Sequence, residues 1–269
     1  MVSFPNAKIN LGLHITEKRQ DGFHSIESCF YPVQWCDALE ILASDKTSFT
    51  ASGIEIPGET DSNLCLKVYN ALKNEFTLPP IQIHLLKNIP IGAGLGGGSA
   101  DAAFTIKLLN DLFNIGLSVV QMEDYLRPLG SDCAFFVNNK PVFAYEKGDR
   151  FSSINLSLKG HFIVIVYPEV HISTKEAYNG VLPKKPELSI ETILQKDMKE
   201  WKFLLKNDFE EALFPKYPVL KEIKATLYSE GALYSSMTGS GSAVYGIFSE
   251  EKELKEVFPQ NFKIWKGSL

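Results

Sequence analysis

At 269 residues, with 45% hydrophobic and 22% charged side chains, the chain has the size and composition of one large or two closely packed globular domains. That excludes a disulfide-stapled miniprotein, a collagen-like repeat and a wholly disordered chain. The 27 Lys and Arg against 32 Asp and Glu give a net charge of −5, so no general attraction for nucleic acid or an anionic membrane is expected, and any anion must be held by a local site. The expected partner is a small molecule, with no nucleic acid and no membrane.

Cys29, Cys36, Cys65 and Cys133 lack CxxC spacing, and the apolar setting Leu64-Cys65-Leu66 suits a buried reduced thiol better than a bridge or a metal ligand. The first residues carry no basic-then-apolar leader, and no run of about 18 apolar residues occurs, so a cytoplasmic location is expected.

Ile9, Leu11, Leu13 and Ile15 alternate with Lys8, Asn10, Gly12 and His14, predicting a half-buried strand with a polar second face. Short strands follow at 30–33, 39–42 and 47–56. Asp61-Ser62-Asn63 then offers caps for a helix through about Phe76, which Pro79-Pro80 ends. Ile81, Ile83 and Leu85 alternate as a strand, Pro90 breaks it, and a glycine-rich loop over 92–98 opens a long helix to about Phe113. A second helix is expected over 119–129. Strands come next at 134–137, 142–145 and 162–166, then mostly helical segments over 174–228. The chain ends with a hairpin, 232–237 and 243–248 around Thr238-Gly239-Ser240-Gly241-Ser242, and a short helix and strand. These elements predict two intimately packed α+β lobes.

Pro90-Ile91-Gly92-Ala93-Gly94-Leu95-Gly96-Gly97-Gly98-Ser99-Ala100 is the strongest local signal. Glycines let backbone N–H groups approach a ligand closely, and a helix start favours a phosphate through its unpaired amides and dipole. Ser99 adds a hydroxyl donor or a cap. Five glycines within 92–98 exceed what a tight turn needs, since each costs chain entropy on folding. A P-loop would carry Lys where Gly98 stands. Gly92, Gly94 and Gly97 fit G-x-G-x-x-G, but the helix that follows leads to another helix instead of a strand ending in an acidic residue, which argues against a dinucleotide fold. The V-A-I-K, H-R-D and D-F-G elements of a protein kinase are absent.

The loop instead resembles the second motif of the GHMP kinase superfamily, P-x-G-x-G-L-[GS]-[GS]-S-[AS], at every position from Pro90 to Ala100. Lys8-Ile9-Asn10-Leu11-Gly12-Leu13 and Met237-Thr238-Gly239-Ser240-Gly241-Ser242-Ala243 stand where that superfamily's other two motifs lie. Within it, Ala7-Lys8-Ile9-Asn10-Leu11, Asp21-Gly22-Phe23-His24-Ser25-Ile26 and Gly130-Ser131-Asp132-Cys133-Ala134-Phe135-Phe136 are similar to the 4-diphosphocytidyl-2-C-methyl-D-erythritol kinase family. Phe23 stands where Tyr is common in that family, and Ala134 where Pro is common. A homoserine or mevalonate type of GHMP kinase is the alternative, and Phe23-His24 with Tyr178 argues against it.

The resemblance implies an α+β, two-lobed GHMP kinase fold: an N-terminal lobe (1–150) resembling ribosomal protein S5 domain 2 and carrying the ATP loop, and a ferredoxin-like C-terminal lobe (151–269). It implies transfer of the γ-phosphoryl group of ATP to the 2-hydroxyl of 4-diphosphocytidyl-2-C-methyl-D-erythritol, in the non-mevalonate route to isoprenoid precursors. Such a transfer needs positioning, charge stabilisation and a proton acceptor. By resemblance Asp132 is the general base and Lys8 its partner; on residue type alone, Asp132 equally suits a helix cap and Lys8 a solvated strand position. Asn10, two residues from Lys8, is placed to orient the acceptor alcohol or to bond a neighbour inside a strand. Phe23, His24, Phe30 and Tyr178 resemble the family's cytidine pocket, although Phe30 and Tyr178 equally suit a core. Pro90 to Ala100 would hold the ATP phosphates, and Asn63 would approach adenine, cap a helix, or both. Mg²⁺ is expected with ATP, held by phosphates and water, since no dense carboxylate cluster and hence no protein metal site is visible.

Overall fold

The computed structural model describes residues 1–269. In chain order it contains strands β1 (Val2–Ser3), β2 (Asn6–Lys18), β3 (His24–Cys36), β4 (Ala38–Ala43) and β5 (Ser48–Gly53), helix α1 (Leu64–Phe76) and strand β6 (Ile81–Lys87). Helices α2 (Gly97–Leu112), α3 (Val119–Leu126) and α4 (Phe135–Asn138) follow, then strands β7 (Val142–Tyr145), β8 (Arg150–Ser153) and β9 (Phe162–Tyr167). Helices α5 (Thr174–Asn179), α6 (Ile190–Leu194), α7 (Met198–Leu204), α8 (Phe209–Leu213) and α9 (Pro218–Ser229) precede β10 (Tyr234–Met237), β11 (Val244–Phe248) and β12 (Lys263–Ser268). The α+β class is as expected. No helix is long and apolar enough to cross a membrane.

Contacts divide the chain into two compact units, each assembled from separate segments. The first comprises Met1–Ala7, Trp35–Ile91 and Gly96–Lys140, the second Lys8–Gln34, Gly92–Leu95 and Pro141–Leu269.

In the first unit the sheet order is β1-β4-β6-β5, antiparallel except for the parallel pair β5–β6. Leu39, Ile41, Ile81, Ile83 and Leu85 recur every second residue and are buried, as a strand with one face on a core requires. Helix α2 packs against α1 and β4. Asn63 starts α1 by accepting from Cys65 N at 2.9 Å, which satisfies an amide that has no partner within the helix.

A buried ionic triad joins the end of β6 to α2. Lys87 Nζ donates to Asp37 Oδ2 and, at 2.8 Å, to Asp101 Oδ2. Asp37 Oδ1 also accepts from the backbone N–H of Asn88 (2.6 Å) and Ile89 (2.8 Å). Burial opposes the charge on Lys87, but the two carboxylates outweigh it and raise its pKa. Two carboxylates share one ammonium, so burial pushes the Asp101 carboxyl up to about 7, Lys87 pulling it down and Asp37 pushing it further up.

The second unit holds two antiparallel sheets, ordered β2-β3-β7-β8 and β10-β11-β9-β12, apart from the ends of β2 and β3 that belong to the first unit. Helix α9 packs on β10 and β11. The core there joins Leu13, Ile15 and Ile26 to Val164, Val166, Phe209, Leu220, Ile223, Leu227, Met237, Val244 and Phe248.

Three expectations need correction. Residues 134–137 form a turn and the helix α4, not a strand; Phe135, Phe136 and Val137 are all buried, and so short an apolar run carries no period that separates the two. The chain between β11 and β12 makes turns and no helix. Strand β2 has no solvated polar face: Lys8, Asn10 and His14 are all buried, and Gly12, at φ +69°, interrupts the strict alternation. The four cysteines are free thiols, three of them buried and Cys36 half-buried.

The triad predicts a pH dependence of stability. A carboxyl whose folded pKa is raised contributes stability that is full below its unfolded value near 4 and is lost as pH rises through about 7. Asp101→Asn should remove that loss. In denaturant titrations at pH 5 and pH 8, the variant should gain on the parent by a few kcal/mol on going to the higher pH. A pH-independent difference would refute the assignment.

Candidate active site

In the second unit a constellation of short contacts surrounds Lys8. Its side chain is 2% exposed, and an ammonium so buried must be met by oxygens. Lys8 Nζ donates to Asn10 Oδ1 at 2.5 Å and to Gly94 O at 3.1 Å, and it lies 4.9 Å from the centroid of the Phe30 ring. Asn10 is equally committed. Its Nδ2 donates to Ser28 Oγ (2.9 Å), which donates to Gly12 O (2.6 Å), and its backbone carbonyl accepts from Tyr245 OH at 2.7 Å. Thr238 Oγ1 accepts from Asn10 N at 3.1 Å and faces Gly94 O (3.1 Å) and Asn10 Oδ1 (3.2 Å), the acceptors that Lys8 also uses.

Backbone proximity explains two of the glycines. A Cβ on Gly94, whose φ is +77°, would fall 2.0 Å from Thr238 O; one on Gly239, at φ +55°, would fall 3.2 Å from Gly94 Cα. Two backbones therefore touch where the glycine loop meets the hairpin turn 238–242, and Ala243 N donates to Ala93 O (3.2 Å) beside them.

In the same unit, His24 at the start of β3 stacks on Tyr178 of α5, with ring centroids 4.7 Å apart and planes at 19°. Phe209 meets the Tyr178 ring edge-on at 4.9 Å. Ser173 caps α5 by accepting from Glu176 N. Burial, then the positive charge of Lys18, holds His24 below the ordinary imidazole range, which favours a neutral ring with one donor and one acceptor nitrogen. Phe23 lies at the tip of the hairpin between β2 and β3, 60% exposed, with Lys147 Nζ 5.2 Å from its ring centroid. Phe30 is buried and tilted against Phe151.

The first unit carries the helix start and the Asp132 turn. Gly96, at φ +72°, is the N-cap of α2 and supplies no side-chain cap. Ala100 N donates to Gly96 O at 2.9 Å, so the amides of Gly97, Gly98 and Ser99 precede the first helical hydrogen bond. Beside them runs the segment bearing Asp132: a Cβ on Gly130 would lie 3.8 Å from Ser99 Oγ. Burial pushes the Cys133 thiol up to about 11, with the Ser99 hydroxyl lowering it and the Asp132 charge raising it. Asp132 is half-buried in a turn, and Ser131 Oγ donates to its Oδ1 at 3.3 Å. No group of three or more His, Cys, Asp or Glu suited to a metal ion is present.

Residues 63–140 match the model of the GHMP kinases N terminal domain, and residues 189–264 match that of the GHMP kinases C terminal. A 4-diphosphocytidyl-2-C-methyl-D-erythritol kinase from Cytophaga hutchinsonii is 54% identical over 254 residues, 94% of each chain. The chain belongs to this kinase family. The corresponding kinase of Bacteroides fragilis is 52% identical over 96% of this chain and 95% of its own. A crystal structure of 4-(cytidine 5'-diphospho)-2C-methyl-D-erythritol kinase matches with a TM-score of 0.79 and 29% identity, over 91% of this chain and 89% of that one. The Methanococcus jannaschii mevalonate kinase, with a TM-score of 0.74 at 18% identity over 99% and 97% of the chains, shares the two-lobed GHMP fold.

Within the second unit of this family member, Lys8, Asn10, Phe30 and Gly94 gather around one ammonium, and His24 and Tyr178 form a separate stack. Within the first, Ser99 gathers with the Asp132 segment, while Asn63 caps α1. Sequence reasoning passed over Asn207, Asp208 and Glu210. The only signal for them is a polar run, Lys206-Asn207-Asp208, ahead of the apolar Phe209, and nothing local in it announces a bond partner about thirty residues away.

Gly98 separates fold from function. Its φ is not in the left-handed range, and the nearest atom to an added Cβ is Leu64 Cδ1 at 4.0 Å, so nothing in the fold demands glycine there. Gly98→Ala should keep or raise stability, by up to about 1 kcal/mol, because alanine is the better helix former. If phosphate oxygens approach this backbone, the same change should raise the ATP KM tenfold or more. An unchanged KM would show that no ligand comes close to Gly98.

Proposed function

We propose that this chain transfers the γ-phosphoryl group of ATP to the 2-hydroxyl of 4-diphosphocytidyl-2-C-methyl-D-erythritol, a step of the methylerythritol phosphate route to isoprenoid precursors. The observation that carries the reading is near-full-length identity above one half to a relative bearing that name. A homoserine or mevalonate acceptor is not favoured: homoserine and mevalonate kinases resemble the chain at 16% and 18% identity, a likeness of fold alone, and neither acceptor offers a base for the His24–Tyr178 stack.

In this reading the triphosphate lies along Pro90, Ile91, Gly92, Ala93, Gly94, Leu95, Gly96, Gly97, Gly98, Ser99 and Ala100, held by backbone amides and the α2 dipole. Asn63 borders the adenine while capping α1. Phe23, His24 and Tyr178 form the cytidine platform; neutral His24 reads the base edge, and the exposed Phe23 ring covers the base face. Phe30 packs behind Lys8, and Asn10 orients Lys8 towards the acceptor. Asp132 accepts the proton of the 2-hydroxyl as that oxygen bonds the γ-phosphorus and ADP leaves. The Lys8 ammonium offsets the charge gathering on the transferred oxygens.

Mg²⁺ would be held by the phosphates and water, with the Ser99 hydroxyl at the start of α2 a protein oxygen of the kind a hard cation accepts. When bound, Mg²⁺ neutralises phosphate charge. The division into parts 1–150 and 151–269 is retained as a proposal, supported by family matches at 63–140 and 189–264 that fall on either side. We also assign the chain to the cytoplasm, with small molecules and not nucleic acid as partners, in keeping with a net charge of −5.

Purified protein should form the phosphorylated product from ATP and 4-diphosphocytidyl-2-C-methyl-D-erythritol, identified by mass, and leave homoserine and mevalonate unchanged. Turnover of either control in its place would overturn the substrate assignment. Asp132→Asn should keep ATP affinity and lose at least a hundredfold in kcat; near-native turnover would remove Asp132 from the mechanism. Tyr178→Ala should raise the KM of the cytidine substrate about tenfold and spare that of ATP, whereas equal shifts in both would place Tyr178 in the core alone.

A further inference from the structure

The tetrapeptide Asn207-Asp208-Phe209-Glu210, leading into α8, spends every polar side chain on backbone elsewhere in the second unit. Asn207 is 2% exposed. Its Nδ2 donates to Met237 O (2.8 Å) and Gly239 O (2.9 Å), and its Oδ1 accepts from Phe209 N at 3.0 Å. Asp208 Oδ2 accepts from Ile15 N at 2.8 Å, on β2. Glu210 Oε1 accepts from Met237 N (2.8 Å) and Ser236 Oγ (3.0 Å), while its Oε2 accepts from Lys224 Nζ at 2.6 Å.

The carbonyls held by Asn207 flank Thr238. That threonine's hydroxyl accepts from Asn10 N and reaches Gly94 O and Asn10 Oδ1, the same two oxygens that receive the Lys8 ammonium. A displacement of the 237–239 backbone therefore moves Thr238 Oγ1 and with it the acceptors that aim Lys8. Gly239 at φ +55° leaves this turn several backbone choices; the Thr238 N–Ala243 O and Gly241 N–Thr238 O bonds hold it from within, and its geometry also draws on bonds from outside the turn. Asn207 supplies them on both sides of Thr238, with its own amide saturated and unable to rotate without breaking three hydrogen bonds.

We propose that Asn207 is a positioning residue for phosphoryl transfer, acting through the Met237–Gly239 backbone and the Thr238 hydroxyl to fix the Lys8 ammonium. It touches no reactant. The proposal deepens the kinase reading and rests on it. Preorganised charge lowers the barrier when it is aimed before the reaction begins, so loosening it should reduce kcat and leave substrate binding nearly intact.

Asn207→Asp keeps the shape and removes both donors; Thr238→Val keeps the shape and removes the hydroxyl. Each should lower kcat ten- to a hundredfold while both KM values stay within about threefold. The double variant should be no slower than the slower single one, within twofold, because both act on one chain of contacts. Multiplicative losses, a kcat within twofold of the parent, or losses confined to KM would overturn the proposal. A folding defect is separated by a readout independent of turnover: the ¹⁵Nζ resonance of Lys8, assigned by its absence in Lys8→Arg. It should shift in both variants, and in Asn207→Leu, which removes the donors without burying a carboxylate, at a temperature where the thermal midpoints show each variant fully folded. If the parent does not phosphorylate the cytidine substrate, the kinase reading fails, and the Lys8 resonance still decides whether Asn207 governs the ammonium; an unshifted resonance refutes that.

Discussion

Two stretches of backbone approach so closely near Lys8 that no side chain fits between them. Gly94 meets Thr238, and Gly239 meets Gly94 in turn, with a Cβ at either position falling 2.0–3.2 Å from main-chain atoms. This contact sets a carbonyl and an asparagine oxygen on one buried ammonium, with a threonine hydroxyl reaching the same two oxygens. A buried charge left unmet would cost several kcal/mol, and Gly94 supplies one of the oxygens that meet it. The glycine loop thus has a structural duty at Gly94 and an open backbone at Gly98, and the two should respond differently to alanine.

Each unit buries a lysine, Lys87 in the first and Lys8 in the second. Lys87 is held by a pair of carboxylates, an arrangement that carries excess negative charge and raises the Asp101 carboxyl to about 7. It ties β6 to α2 on either side of the glycine loop in sequence, and Gly97 leaves room for its ammonium, 2.9 Å from where a Cβ would stand. Lys8 donates, among its contacts, to the oxygens of Asn10 and Gly94.

Near-full-length identity of 54% supports one chemistry for the whole chain, while solved kinases below 20% identity share the fold with other acceptors in their names. In the proposed function the His24–Tyr178 stack with the exposed Phe23 ring is what sets the acceptor apart, as a surface for a flat base. Holding His24 below the ordinary imidazole range keeps that edge neutral.

The order of strands and helices up to α3 was legible because alternation, caps and prolines act over a few residues: Ile81, Ile83 and Leu85 announce β6, and Asn63 caps α1 as its position suggested. The glycine run and the three ordered motifs were equally plain. By contrast, periodicity gave β2 a solvated face, which tertiary packing buries, and it made the buried turn and helix at 134–138 look like a strand. The sequence by itself determined the loop and the family. Only the tertiary structure decided that Asn10 bonds Thr238 across 228 residues, that Asn207 brackets that threonine, and that Lys87 sits in a triad with Asp37 and Asp101. Local pattern records whether a residue faces a core, whereas the identity of a distant hydrogen-bond partner is fixed by how whole elements pack.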